Sequence, residues 1–233
     1  MKSIKILLLL QIIFITNLFS QYKVQLNTNV DLVSRYIWRG IDVASTPSVQ
    51  PSLAVSFSNI SLGFWAAYTL SNQKSSSDEI DIWLSYNLKI GEFIISPLIT
   101  DYYYPNSGKR LFDFDDENGA HLLEAGLKIS KEDFPIIVSG YYNFYNEPGN
   151  NTYFEISYSA NVNELKFDSF IGATGGSKSN SLFYNTENFN VINIGMKITK
   201  PLFITDKITI PVFASIIFNP RNEIANVVAG ITL

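Results

Sequence analysis

The strongest constraint in this chain is a hydrophobic period of two, held over segments longer than a soluble strand needs. In "EIDIWLSYNLKI", Ile80, Ile82, Leu84, Tyr86, Leu88 and Ile90 alternate with Glu79, Asp81, Trp83, Ser85, Asn87 and Lys89. "YFEISYSA" sets Phe154, Ile156, Tyr158 and Ala160 against Tyr153, Glu155, Ser157 and Ser159. "NVINIGMKIT" sets Ile192, Ile194, Met196 and Ile198 against Asn193, Gly195 and Lys197. Nearer the start, Leu26, Val30, Leu32, Tyr36 and Trp38 alternate with Asn27, Asn29, Asp31, Arg35 and Arg39. An amphipathic helix would space its apolar residues by three and four, whereas successive side chains of a strand point to opposite faces.

Continued along the chain, the pattern predicts twelve strands near 25–40, 48–57, 60–70, 79–90, 92–104, 120–129, 135–145, 152–161, 165–175, 189–199, 207–218 and 223–233. Their connections alternate in character. "SN", "G", "SKEDF" and "NVNE" are short, "SNQKSSSD", "PNSGKRLFDFDDENG" and "GGSKSNSLFYNTEN" are long or polar, and "KPLFITD" is intermediate. Short and long turns alternating along an even strand count mark an outer-membrane barrel, and a soluble sandwich has no reason to show them. Tilted strands of about 9–11 residues cross a bilayer, against about 5–6 in soluble sheets. The predicted fold class is all-β: a transmembrane, antiparallel, up-and-down β-barrel of twelve strands. No segment after the first twenty residues reaches 18 consecutive apolar residues, so no helical span is predicted.

Details agree. Tyr36, Trp38, Tyr68, Tyr103, Tyr158 and Phe218 fall towards strand ends on the apolar face, where interfacial girdles are expected. Val227, Ala229, Ile231 and Leu233 share one face, as in a last strand that closes on the first. Pro51, Pro97 and Pro211 lie inside predicted strands. A proline has no N–H to give a ladder and a closed barrel has no free edge, so each requires a local break in pairing.

The opening "MKSIKILLLLQIIFITNLFS" has a basic start at Lys2 and Lys5, an apolar run from Ile6 to Phe14, and a small residue before Gln21. That is the pattern of a secretory signal. Residues 1–20 are expected to be a signal peptide and 21–233 one outer-membrane barrel domain, since no linker or low-complexity tract divides the rest. There is no cysteine, hence no disulfide framework and no lipid-attachment site. Without Lys2 and Lys5, the 17 basic residues fall to 15 against 21 acidic ones. This balance argues against nucleic acid as a partner. The expected location is the cell outer membrane, with the lipid bilayer and the barrel-insertion machinery as partners and no cofactor.

In lipid the polar face must look into the lumen. Arg35 and Arg39 would cost about 2–4 kcal/mol each facing hydrocarbon at midplane, and little inside a wet barrel. The same reasoning turns Glu79, Asp81, Glu124 and Glu155 inward in one half, with Lys89, Lys128, Lys166 and Lys197 towards the other end. Trp65 and Trp83 point inward on adjacent strands, either as a stacking platform or as filling.

With the strands placed, "VDLVSRYIWRGIDVASTPSVQPSLAVSF" resembles the opening hairpin of the TorF-like porin family, whose first strand reads roughly S-x-Y-x-x-R-G before a polar loop and a Gln. Ser34, Tyr36, Arg39, Gly40 and Gln50 carry the match. "EIDIWLSY", with Asp81 and Tyr86, is similar to the family's fourth strand. The resemblance spans residues 30–90 and is general beyond them. It implies an outer-membrane barrel of this size and no particular substrate; the terminal Leu233 departs from the aromatic residue common in such barrels. Gln50 joins the expected pore-lining set of Arg35, Arg39, Trp65, Glu79, Asp81, Trp83, Glu124 and Glu155.

Three classes of function fit these residues. Arginines facing carboxylates across a lumen can orient small polar solutes in passive diffusion. The same charges, paired, can brace a closed structural or adhesive barrel. A membrane-embedded hydrolase would need a base, normally His; His121 is the only one, and its same-face neighbours Gly119 and Leu123 offer no nucleophile. The acidic stretch with Asp113, Asp115, Asp116 and Glu117 lacks the spacing and Gly of a calcium loop, so no metal site is expected. It reads as a solvated loop, or, being the longest, as one that folds inward.

Overall fold

A computed structural model describes residues 23–71, 75–115, 118–176, 183–184 and 186–233. The expected signal segment lies outside the described residues. The strands are β1 (Gln25–Val33), β2 (Tyr36–Trp38), β3 (Ile41–Ala44), β4 (Ser48–Phe57), β5 (Ile60–Thr69), β6 (Glu79–Tyr86), β7 (Leu88–Ile90) and β8 (Phe93–Tyr103), followed by β9 (His121–Lys131), β10 (Phe134–Tyr145), β11 (Thr152–Val162), β12 (Leu165–Thr174), β13 (Asn190–Thr205), β14 (Ile208–Asn219) and β15 (Ile224–Thr232). Of these fifteen, β2 and β3 form a separate pair and β7 prolongs β6, which leaves twelve staves. Each pairs antiparallel with its neighbours in chain order. The ring closes where β1 meets β15, with Leu32 opposite Ile231.

Alternation builds the wall. On β6, Glu79, Asp81, Trp83 and Ser85 face the interior while Ile82, Leu84 and Tyr86 are exposed outside. Tyr68, Tyr142, Phe154 and Phe218 are exposed around one rim, and Tyr86, Phe93, Phe134 and Phe203 around the other. A belt of this extent has no counterpart on a soluble monomer and matches the lipid-facing surface of a membrane barrel. Inside, four aromatic rings lie flat over a glycine of the next strand. A Cβ at Gly63 would come within 2.1 Å of Trp83, at Gly172 2.0 Å from Tyr153, at Gly195 2.3 Å from Phe170 and at Gly230 2.4 Å from Phe213.

Connections sort by end. At the turn end, two residues join each pair of neighbouring staves, at 58–59, 91–92, 132–133, 163–164 and 206–207. At the loop end, 34–47, 70–78, 104–120, 146–151, 175–189 and 220–223 are longer. The expected alternation is therefore present, with one correction: "KPLFITD" is not a loop, because β13 runs on to Thr205. Pro201 stands opposite Pro211 there. Pairing of β13 with β12 ends at Thr199 and pairing of β14 with β15 begins at Val212, so neither missing N–H is needed by a flanking strand. The other prolines break ladders as their chemistry requires. The β4–β5 register skips Gln50 and Pro51, and Pro97 faces the gap at Asn87 that divides the predicted strand 79–90 into β6 and β7.

The larger correction concerns the first stave. The expected strand 25–40 ends at Val33, and the chain then turns into the lumen as the hairpin β2–β3. Tyr36 and Trp38, expected in a lipid girdle, are inside the barrel, with Tyr36 buried. Tyr68, Tyr158 and Phe218 do lie on the outer face. Tyr103 also faces outward but is covered, stacked on His121 at 5.5 Å.

Candidate functional site: a hairpin inside the barrel

The hairpin exists because of its two-residue turn. Arg39 has φ 49° and Gly40 φ 79°, the left-handed pair that a two-residue hairpin turn requires. Gly40 meets a second demand: a Cβ there would lie 2.0 Å from the Ile192 carbonyl oxygen of β13. The tip thus presses against the wall with no room for a side chain. Asn219 Nδ2 donates to Gly40 O at 3.1 Å, and Ser77 Oγ donates to Val43 O at 2.6 Å, fastening the turn and β3 to the surrounding barrel.

Arg39 anchors the tip. Nη1 and Nη2 donate to the two Glu124 carboxylate oxygens at 2.7 and 2.8 Å, and Nη1 also donates to the Tyr184 hydroxyl at 2.9 Å. The Arg39 and Glu124 side chains are 11 % and 2 % exposed. Tyr102 Oη donates to the same carboxylate at 2.9 Å. The guanidinium sits 4.5 Å from the Trp38 ring, 4.3 Å from Tyr141 and 4.5 Å from Tyr153, positions that favour a cation electrostatically. Burial opposes the Arg39 charge, but Tyr184 and Glu124 outweigh it and hold the guanidinium well above its ordinary pKa. Burial pushes the Tyr184 hydroxyl up as well, so it remains a neutral dipole.

At the hairpin's base, Tyr36 Oη donates to Glu79 at 2.9 Å, and the Tyr36 ring packs 5.3 Å from Trp65. Arg35 donates to Asn226 Oδ1 at 2.6 Å and pairs with Asp42 of β3 at 3.3 Å, with both charged side chains 33 % exposed. The two arginines that share a face in sequence thus part company. Arg39 is consumed by a buried carboxylate; Arg35 stays half exposed.

The hairpin separates two spaces. On the loop side lies a cavity of about 540 Å³ walled by Trp38, Ile41, Glu79, Tyr104, Lys109 and Phe183 among others. On the other side a cavity of about 260 Å³ is lined by Asp31, Arg35, Tyr36, Gln50, Trp65 and Lys197 among others. Of the residues singled out in the sequence, Arg39 and Glu124 meet directly, Glu79 and Trp65 both touch Tyr36, and Arg35, Gln50 and Trp65 share the smaller cavity. Glu155 belongs to a neighbouring group, accepting from Tyr153 Oη at 2.6 Å and Asn193 Nδ2 at 3.3 Å. Trp83 lies apart, towards the turn end over Gly63. Asp81 Oδ1 is buried, with no hydrogen-bond partner among the described residues.

Sequence reasoning missed the aromatic cage of Tyr102, Tyr141 and Tyr184 and the hairpin itself. The signal was weak: Gly40 suits a turn between "YIW" and "IDV", but Arg-Gly is not one of the dipeptides that mark a two-residue hairpin. Among the described residues no group of three His, Asp or Glu side chains could hold a metal ion. Asp116 and Glu117 of the acidic loop lie outside the described residues.

A closed twelve-strand wall, polar within and apolar without, is the architecture of outer-membrane β-barrels, and a solved structure shares the fold. The NanC porin superposes with a TM-score of 0.54 at 9% sequence identity, over 88% of this chain and 98% of that one. OccAB3 of Acinetobacter baumannii aligns with a TM-score of 0.42 at 8% identity, over 90% of this chain and 64% of that one. Among curated proteins no sequence matches. The chain belongs to the Gcw_chp family, bacterial proteins of unknown function, whose sequence pattern matches residues 20–205.

Proposed function

We propose that this protein is an outer-membrane channel for passive diffusion of small polar solutes or ions, narrowed by the β2–β3 hairpin, and a TorF-like porin within its family. Residues 1–20 are removed on export, the barrel-insertion machinery seats residues 21–233, the long loops face outside and the two-residue turns face the periplasm. The observation that carries this reading is the hairpin, which partitions a polar lumen and leaves a cavity on either side. Arg35, Gln50, Trp65, Glu79, Asp81 and Glu155 line the path around it, Arg39 and Glu124 hold it, and Trp83 fills the lumen below.

Arg39 is neutralised by Glu124 and Arg35 by Asp42, whereas Glu79, Asp81, Lys109 and Lys197 form no ion pair among the described residues. Fixed charges of both signs between low-dielectric walls orient polar solutes as they pass. Planar-bilayer recording of the refolded protein tests this reading. Ohmic steps whose ion selectivity shifts towards anions in Glu79→Gln/Asp81→Asn are expected. The buried, bidentate Arg39–Glu124 pair supports one rival, a closed structural or adhesive barrel. Silence from a folded and inserted protein, with steps appearing only when residues 36–44 are replaced by a glycine–serine linker, would establish that rival.

A further inference from the structure

The connection after β8 divides: Tyr104, Lys109, Gly119 and Ala120 line the loop-side cavity, whereas residues 111–115 are fastened to the outside of the wall. On β8, Tyr102 points in to Glu124, so Asp101 and Tyr103 point out; on β9, Glu124 points in, so His121 points out. An outward residue at the rim should be exposed, yet His121 is only 4 % exposed because the loop covers it. Its Nδ1 lies 2.9 Å from the Asp101 carboxylate and its Nε2 2.5 Å from the Leu111 carbonyl oxygen, and the Phe114 ring stacks on it at 4.1 Å. The ring thus bridges Asp101 of β8 and the loop backbone. Tyr145 Oη donates to Phe114 O at 2.6 Å, and Asn146 Nδ2 donates to Asp115 O at 3.1 Å.

The side chains of this fastened segment do the reverse of what a loop in water should do. Leu111, Phe112 and Phe114 are 48 %, 84 % and 57 % exposed. Phe114 lies beside the end of β10, whose Tyr142 and Phe144 are also exposed. Arg110 precedes the three in the chain, where a basic group can reach headgroup phosphates while the rings beyond enter the acyl boundary.

We infer that residues 111–115 form a lipid-anchoring arm, clamped to the barrel by His121 and Asp101, whose side chains Leu111, Phe112 and Phe114 insert into the membrane interface beside the loop-end aromatic girdle. The partner is the lipid of the leaflet nearest the loops, and the inference rests on the membrane-barrel reading above.

The absence of cysteine allows a clean test. Single labels of an environment-sensitive fluorophore are placed by Phe112→Cys on the arm, Ile129→Cys on the belt and Glu164→Cys in a turn. Each protein is refolded into phosphatidylcholine vesicles carrying a shallow acyl-chain nitroxide. The label at 112 is expected to be quenched about as strongly as that at 129 and several-fold more than that at 164. His121→Ala, by releasing the clamp, should reduce quenching at 112 and leave 129 unchanged. If 129 is quenched and 112 behaves like 164, the arm does not touch lipid and the inference fails while the barrel stands. If 112 is shielded from the quencher in a way that depends on protein concentration, the tip covers a second copy and the inference is equally overturned. If 129 itself is not quenched, the membrane reading falls first. A label at Leu111→Cys repeats the test should the first site perturb refolding.

Discussion

Two loop-end excursions of this barrel, 34–47 and 104–120, are both rich in aromatic and charged residues, and they part at the rim. The first enters the lumen, while the second sends residues 111–115 over the outer wall. Both are held by β9. Arg39 pairs with Glu124, and the Leu111 carbonyl and Phe114 ring meet His121, which lies 2.9 Å from Asp101 of β8. Glu124 points inward and holds its partner in the lumen, while His121 points outward and is covered on the outer face. The lesson is that a loop's destination is set by which face of the wall presents its partner side chain, with loop length and apolar content secondary.

Breaking the inner anchor should have the largest effect. Arg39→Ala leaves Glu124 buried without its cation, and loss of one partner of such a pair costs about 3–5 kcal/mol. A lower urea midpoint for unfolding from detergent is expected, together with a larger single-channel conductance as the tip comes free. Gly40→Ala attacks the same hairpin by sterics alone, through the positive φ and the Ile192 carbonyl, at about 1–3 kcal/mol. Conductance should rise here as well, and a rise in Arg39→Ala but not in Gly40→Ala would mean that charge rather than fit holds the hairpin.

The outer clamp is worth less. His121→Ala removes the contacts of its ring with the Leu111 carbonyl and with Asp101, about 1 kcal/mol each, and leaves the backbone ladder of β8 and β9 in place. The expected outcome is faster tryptic cleavage after Arg110 at unchanged conductance. A changed conductance would show that the two excursions are coupled through the wall. Smallest of all, Phe112→Ser should alter the unfolding midpoint by no more than about 0.5 kcal/mol, since its ring touches little of the protein.

Much of the wall was legible because it rests on local chemistry. The strands at 48–57, 60–69 and 152–162 appear within a residue of their expected limits, since alternation and flanking turn residues both mark them. The inward parity of Glu79, Asp81, Trp83, Glu124 and Glu155 follows from the same alternation. Failures came where two signals conflicted. Past "SDEIDIWLSY" the alternation continues through Asn87, but Pro97 on the next strand withholds the partner N–H and the stave is interrupted. In "LVSRYIWRG" the alternation lapses at Val33 and Ser34, where apolar and polar change places, and resumes at Arg35 and Tyr36, so the lapse at which the chain leaves the wall is masked by the pattern on either side.

Alternation along the chain was enough to determine that this protein makes a closed, twice-sided wall, because side-chain direction in a strand depends only on position within the strand. Tertiary structure alone decided what each face meets. The Arg39–Glu124 contact joins residues 85 apart, and the bond from Asn219 to Gly40 joins residues 179 apart. Such contacts exist only once the ring has closed, since closure brings β9, β13 and β14 around one lumen. An apolar face that reads as lipid-facing in the sequence can then find aromatic rings inside instead, as Tyr36 and Trp38 do.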